Sequence, residues 1–249
     1  MHSIQHFTLP SAVLGDHVPV TILLPPDVDA QHRFPVLYLL HSLAGPPSPQ
    51  ICAALRSRLI DFPYIVVLPD GNRSFYINTA DGRRYEDYIV EELIPTIDER
   101  LPTVASRGSR AIGGPSMGGF GALMLALRHR DLFSVAFSQS GAVNAPRWVH
   151  DGPYGCVFGP PDSPLRTEYD LYRLAAEPGD HPALYLDCGL DDFLLEENRA
   201  FHAYLKTLSI PHIYREHMGE HPGTYLNDAS RYALNFVRGL ISLHDPQPV

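Results

Sequence analysis

The chain predicts an α/β fold: about eight strands in a mostly parallel sheet, helices on both faces, and a small cap-like insertion. Short apolar runs of strand length recur at 35–40, 64–68, 133–138 and 183–187, with helical spacing between the later ones. Such alternation is the pattern of crossover connections between parallel strands. A strand-to-helix turn at Gly114-Pro115-Ser116-Met117-Gly118 carries a G-x-S-x-G pattern. Loops that follow later strands bring Asp191, Asp192 and His221 to strand ends, where open parallel sheets collect reactive groups.

Taken in order, 4–14 and 17–24 are β-rich runs joined at Gly15-Asp16, read as an antiparallel hairpin at one sheet edge. Residues 35–40 form a run apolar throughout, as a strand buried on both faces requires. The loop from His41 to Pro47 follows, then a helix over 49–60 and a strand over 64–68. The polar and aromatic stretch 72–84 reads as loop. From Tyr85 to Leu101 the spacing is helical, with Pro95 expected to bend it.

After the 110–127 hub and the strand at 133–138, the proline-rich segment 142–180 breaks the rhythm and reads as a cap within a single domain of 1–249. A strand at 183–187, a helix over 194–208, a strand at 212–216 and a helix over 224–241 complete the chain.

Bulk composition narrows the functional classes. A net charge of −9 leaves no basic stripe to meet phosphates, so nucleic acid is not expected as a partner. Three widely spaced cysteines (Cys52, Cys156, Cys188) suit free thiols in a reducing compartment better than a disulfide framework. No apolar segment reaches bilayer length and no secretion signal is seen, so a soluble cytoplasmic protein is expected.

Chemistry centres on Ser116. A turn from strand to helix at one residue forces an unusual backbone, and glycines flank the serine because neighbouring Cβ atoms would collide. A serine hydroxyl needs a base and a group to orient that base. Ser116, the Asp191-Asp192 pair and His221 occur in the order serine, acid, histidine that such an elbow requires. The hub lacks the Lys-Ser/Thr ending of a phosphate loop and the downstream acid of a dinucleotide fingerprint, so no cofactor is expected. His217, Glu220 and His221 have spacing that suggests a metal, but Gly219 and Pro222 oppose a helix there, so no metal is expected either.

On these residues the chain resembles the esterase D-like branch of the α/β-hydrolases, which includes S-formylglutathione hydrolases, mycolyltransferases, small-ester carboxylesterases, and feruloyl and acetylxylan esterases. The resemblance rests on Leu39 to Gly45, Tyr85 to Leu93, Gly114 to Leu123, Cys188 to Leu194 and Met218 to His221. It implies an α/β-hydrolase fold with Ser116 as nucleophile and His221 as base. It implies Asp192 as the acid, directly before the Phe193-Leu194 pair; the alternative for the Asp pair is to cap the helix at 194, which suits Asp191.

The oxyanion donors it implies are the amides of Met117 and Leu43. Ser42 stands where the family often has glycine, and Pro115 where it has an ordinary side chain. The expected reaction is serine-dependent hydrolysis of short-chain acyl esters, sugar- or phenol-linked ones included. S-formylglutathione-type thioester hydrolysis, acyl transfer and a non-catalytic binding module are the alternatives. Phe75, Tyr76, Trp148 and Tyr154 are the expected ring-stacking substrate contacts, with His41 counted beside them. A homodimer or tetramer is compatible with the resemblance.

Overall fold

A computed structural model describes residues 1–26, 28, 31–60, 62–148, 155–221 and 229–241. Among the described residues eight strands form one sheet in the order β1-β2-β4-β3-β5-β6-β7-β8. They are β1 (Ser3–Ser11), β2 (Asp16–Leu24), β3 (Val36–Leu39), β4 (Ile65–Pro69), β5 (Arg110–Pro115), β6 (Val135–Gln139), β7 (Ala183–Gly189) and β8 (His212–His217). From β4 across to β8 every pairing is parallel, whereas β1 on β2 and β2 on β4 are antiparallel. This is the mostly parallel eight-stranded sheet that the sequence predicts and that the resemblance to α/β-hydrolases implies.

Strand alternation builds two cores. Val36, Tyr38, Ile65 and Val67 point into one, while Leu37, Leu39, Val66 and Leu68 point into the other. The first is covered by α4 (Met117–Arg128), α7 (Leu171–Ala176) and α8 (Leu195–Thr207), which contribute Phe120, Leu171 and Phe201. The second is covered by α1 (Pro49–Arg58) and α9 (Ser230–Leu240), through Leu55, Ala233 and Val237. Helices on both faces therefore hold the central strands dry, which explains their unbroken apolar runs.

The β1–β2 reversal is wider than the two residues the local sequence suggests. Ser11 pairs with Asp16, so the loop spans 12–15, with Gly15 at a φ of 65°. Glu92 closes it by accepting from the amides of Ala12 at 2.8 Å and Val13 at 3.0 Å, and from the Ser11 hydroxyl. The acceptor lies some eighty residues away, beyond the reach of any local turn rule.

Pro95 does not act by a simple bend. Between α2 (Tyr85–Asp87) and α3 (Ile94–Arg100) the helix passes through a π segment, Tyr88–Leu93, with the Ile94 amide donating to the Ile89 carbonyl. The wider turn ends just before Pro95, whose ring would otherwise meet the carbonyl one α-turn back.

Glu86 ties this helix to the rest. Almost wholly buried, it accepts from Arg128 Nε at 2.7 Å, from His129 Nε2 at 2.8 Å and from the Tyr169 hydroxyl at 2.6 Å. Burial pushes its carboxyl up, but His129, Tyr169 and Arg128 outweigh that and hold it below the ordinary carboxylate value. Glu86→Gln is expected to cost about 2 kcal/mol at neutral pH, the range for hydrogen bonds to a charged group. Because the folded value lies below the unfolded one, this stabilisation is complete above the unfolded value, about 4.3, and fades as the pH falls through the folded one. Thermal melts should show a gap between wild type and variant of roughly 4–8 °C at pH 7 that narrows in acid. An equal gap at every pH would contradict the assignment.

Candidate active site

The turn at Ser116 is held open by what surrounds it. Ser116 sits at φ 54°, ψ −118°, a conformation an L-residue keeps only when its surroundings impose it. Its amide donates to the Gln139 carbonyl at 2.9 Å, and its carbonyl accepts from the amides of Phe120 at 3.0 Å and Ala142 at 3.2 Å. A Cβ on Gly114 or Gly118 would lie 2.2 Å from the Leu40 carbonyl oxygen, so neither position admits a side chain. Pro115 is accommodated because it is the last residue of β5, two beyond the point where the ladder with β3 ends at Leu39–Gly113.

The three loop residues meet. His221 Nε2 lies 2.9 Å from Ser116 Oγ, and His221 Nδ1 lies 3.0 and 2.9 Å from the two carboxylate oxygens of Asp192. An ionised carboxylate only accepts, so the proton on the ring belongs to Nδ1, and Nε2 is left to accept from the serine hydroxyl. Asp192 is held in the ionised form. Burial pushes its carboxyl up, but bonds from His221, the Ser140 hydroxyl and the Leu194 amide outweigh that and bring it below the ordinary value. The imidazole keeps one edge toward solvent, and the exposed Phe193 ring packs on it at a centroid distance of 4.4 Å.

The acid pair divides differently from expectation in one respect. Asp191 is exposed and makes no capping bond to the following helix, whose N-cap residue, Leu194, has no side-chain cap. Asp192 itself accepts from the Leu194 amide at 2.8 Å. One carboxylate thus both orients the histidine and fixes the turn that carries it.

Near the serine, the 41–45 loop turns with the Gly45 amide donating to the Ser42 carbonyl at 3.0 Å and the Ala44 amide to Ser42 Oγ at 3.2 Å. Neither bond uses the Leu43 amide, and Met117 opens α4, where first-turn amides have no partner within the helix. Ser42, in place of the glycine common in the family, uses its hydroxyl to close this turn.

Three of the expected substrate contacts are buried framework instead. His41 is 1% exposed: its Nε2 accepts from the Gly71 amide at 2.9 Å, and its Nδ1, 2.7 Å from the Ser42 carbonyl, donates to it. Tyr76 is wholly buried, with its hydroxyl accepting from the His41 amide at 2.7 Å and donating to the His41 carbonyl at 3.1 Å. Phe75 is also wholly buried, packed edge-on against Phe120 and Trp148. Both aromatics have positive φ, 54° and 61°, and this turns the loop inward under the 41–45 segment.

Trp148 is half-buried and donates to Glu197 at 2.9 Å. Tyr154 lies outside the described residues. Ser140 and Phe193 join the site without a motif in the sequence to announce them. Ser140 left a faint trace, a serine before glycine at the end of a strand, and it too has a positive φ, 47°.

Comparison with known proteins bears on the family and the fold. The family model Esterase (Putative esterase) matches residues 11–226. An acetyl esterase of Caldicellulosiruptor saccharolyticus is 31% identical over 236 residues, covering 88% of this chain and 87% of its own length. A ferulic acid esterase structure superposes with a TM-score of 0.84 at 26% identity, covering 97% of this chain and 99% of that one. The S-formylglutathione hydrolase FrmB of Staphylococcus aureus gives the same TM-score of 0.84 and 26% identity, covering 95% of this chain and 99% of that one. Against two esterases of Mycobacterium tuberculosis the match spans 55% of their length. No helix among the described residues is long and apolar enough to cross a membrane.

Proposed function

Because the chain belongs to the Esterase family, we propose that it is a serine carboxylesterase that hydrolyses short-chain acyl esters through an acyl-enzyme on Ser116. The observation that supports this most is the hydrogen-bonded relay from Ser116 Oγ through His221 to Asp192. In the first step His221 Nε2 takes the serine proton while Oγ attacks the ester carbonyl. The carbonyl oxygen becomes an oxyanion, received by the amides of Met117 and Leu43. Asp192 stabilises the imidazolium so formed, which then protonates the departing alcohol. Water repeats the sequence on the acyl-enzyme and releases the acid. Each oxyanion donor is worth about 3 kcal/mol of barrier.

The segment 142–180 serves in this reading as a cap over the site within one domain. Amides of Ala80 and Asp81 donate to the carbonyls of Val157 and Cys156, tying the 72–84 loop to α5 (Gly155–Phe158). Among the described residues Trp148 is then the expected aromatic left to meet substrate, since Phe75 and Tyr76 are wholly buried. A reducing, cytoplasmic setting fits three cysteines none of which is in a disulfide.

The acyl and alcohol preference is tested with a panel of p-nitrophenyl acetate, butyrate and octanoate, acetylated xylan, methyl ferulate and S-formylglutathione. Highest kcat/KM is expected on acetyl and other short acyl oxygen esters. A preference for S-formylglutathione by tenfold or more would replace this reading with the thioesterase one.

A further inference from the structure

Below the Asp192–His221 pair lies another carboxylate and another imidazole. Asp187 stands near the end of β7 and His217 at the end of β8, five and four residues before the two groups of the relay. The Asp187 side chain is 0% exposed, yet among the described residues its Oδ1 has no hydrogen-bond partner and its Oδ2 receives a 3.5 Å contact from Gln139 Nε2. His217 Nε2 is likewise without a hydrogen bond and lies 3.6 Å from Asp187 Oδ1, while its Nδ1 donates to the Met218 carbonyl at 3.1 Å. A buried carboxylate is stable only when paired, and no other cationic group is seen to pair with it among the described residues.

The backbone above this pair is unusually close. The Leu190 amide donates to the His217 carbonyl at 2.8 Å, and the Asp191 amide donates to the Gly219 carbonyl at 3.1 Å. A Cβ on Gly189 would lie 2.2 Å from the Gly219 oxygen, so the loop bearing Asp192 and the loop bearing His221 touch through bare backbone. Any separation of β7 from β8 at 187 and 217 would pass directly into the distance between acid and base.

We propose that Asp187 and His217 act as a buried carboxylate–imidazolium pair that positions the Asp192–His221 relay, His217 being the positioning residue. The inference rests on the esterase reading of Ser116, His221 and Asp192. Asp187 draws the His217 imidazole toward its protonated form, raising its pKa against the opposing effect of partial burial. The titratable groups that act on it are Asp187 on β7 and Asp192 on the loop beyond. Its neighbour Glu216 is engaged by Arg199 at 2.8 Å.

The test is a double-mutant cycle on the full chain, read as kcat and KM for p-nitrophenyl acetate per site labelled by a fluorophosphonate. His217→Gln leaves a buried charge without its partner, and kcat should fall about 10- to 100-fold with KM little changed, as a small misplacement of reacting groups does. Adding Asp187→Asn to it removes the unpaired charge, and an amide–amide pair should restore most of kcat. A His217→Gln variant with wild-type kcat, or a double variant no better than the single one, overturns the proposal. Should His217→Gln fail to fold, a folded and active double variant supports the pairing, and a double variant that also fails to fold overturns it. Absence of labelling in the wild type would sink the esterase reading itself, a separate outcome.

Discussion

Ser116→Ala is expected to reduce kcat on p-nitrophenyl acetate by about 10⁶-fold, to the level left by binding and oxyanion donors alone. The hydroxyl oxygen is the atom that bonds to the acyl group, and among the described residues it is the hydroxyl that hydrogen-bonds His221 Nε2. The fold should survive. Ser116 holds its place through its amide and carbonyl, bonded to Gln139, Phe120 and Ala142, and alanine keeps all three bonds. The backbone at φ 54° strains alanine no more than serine. Melting temperature and far-ultraviolet circular dichroism should therefore match the wild type. Turnover retained within tenfold in a preparation free of other esterases would remove Ser116 from the mechanism.

The second large effect separates two adjacent carboxylates. Asp192→Asn should lower kcat by about 10⁴-fold, because an amide can donate to His221 Nδ1 and stabilise the tautomer that carries its proton on Nε2. That imidazole can no longer accept the serine proton. Asp191→Asn should leave kcat within about twofold, as befits an exposed side chain away from the relay. A reversed pair of results would exchange the roles. Stability supplies a second readout: Asp192 also accepts the Leu194 amide and loses part of its charge-assisted bonding on substitution, so its variant should melt lower than that of Asp191.

Much of this site is legible in the sequence, and the reason is topological. Ser116, Asp192 and His221 follow β5, β7 and β8, and parallel strands deliver their following loops to one rim, so strand order alone predicts the meeting. The glycines around Ser116 are readable for a similar reason: a steric requirement at a known turn dictates them one by one. Family resemblance, not residue chemistry, favours Asp192 over Asp191, since both carboxylates follow the same strand.

What stays hidden depends on contacts between distant segments. Phe75 and Tyr76 read as loop aromatics open to a substrate, yet two successive positive φ values turn them into the interior, where Tyr76 grips the backbone of His41 from thirty-five residues away. Nothing in the local sequence announces that reversal. His41 is misread by the same route, because its ring nitrogens are taken up by the backbone of Gly71 and Ser42. The Asp187–His217 pair escapes notice because its partners lie on neighbouring strands and acquire meaning only in register, with Asp187 opposite Arg215 and Gly189 opposite His217.

The most direct test of the account is to inactivate the enzyme with a fluorophosphonate and locate the adduct by peptide mass spectrometry. A single adduct on Ser116, formed at one per chain and absent from His221→Ala under the same exposure, is the predicted result. An adduct on another serine, or equal labelling of Ser116 with the imidazole removed, would contradict the view that His221 activates this hydroxyl.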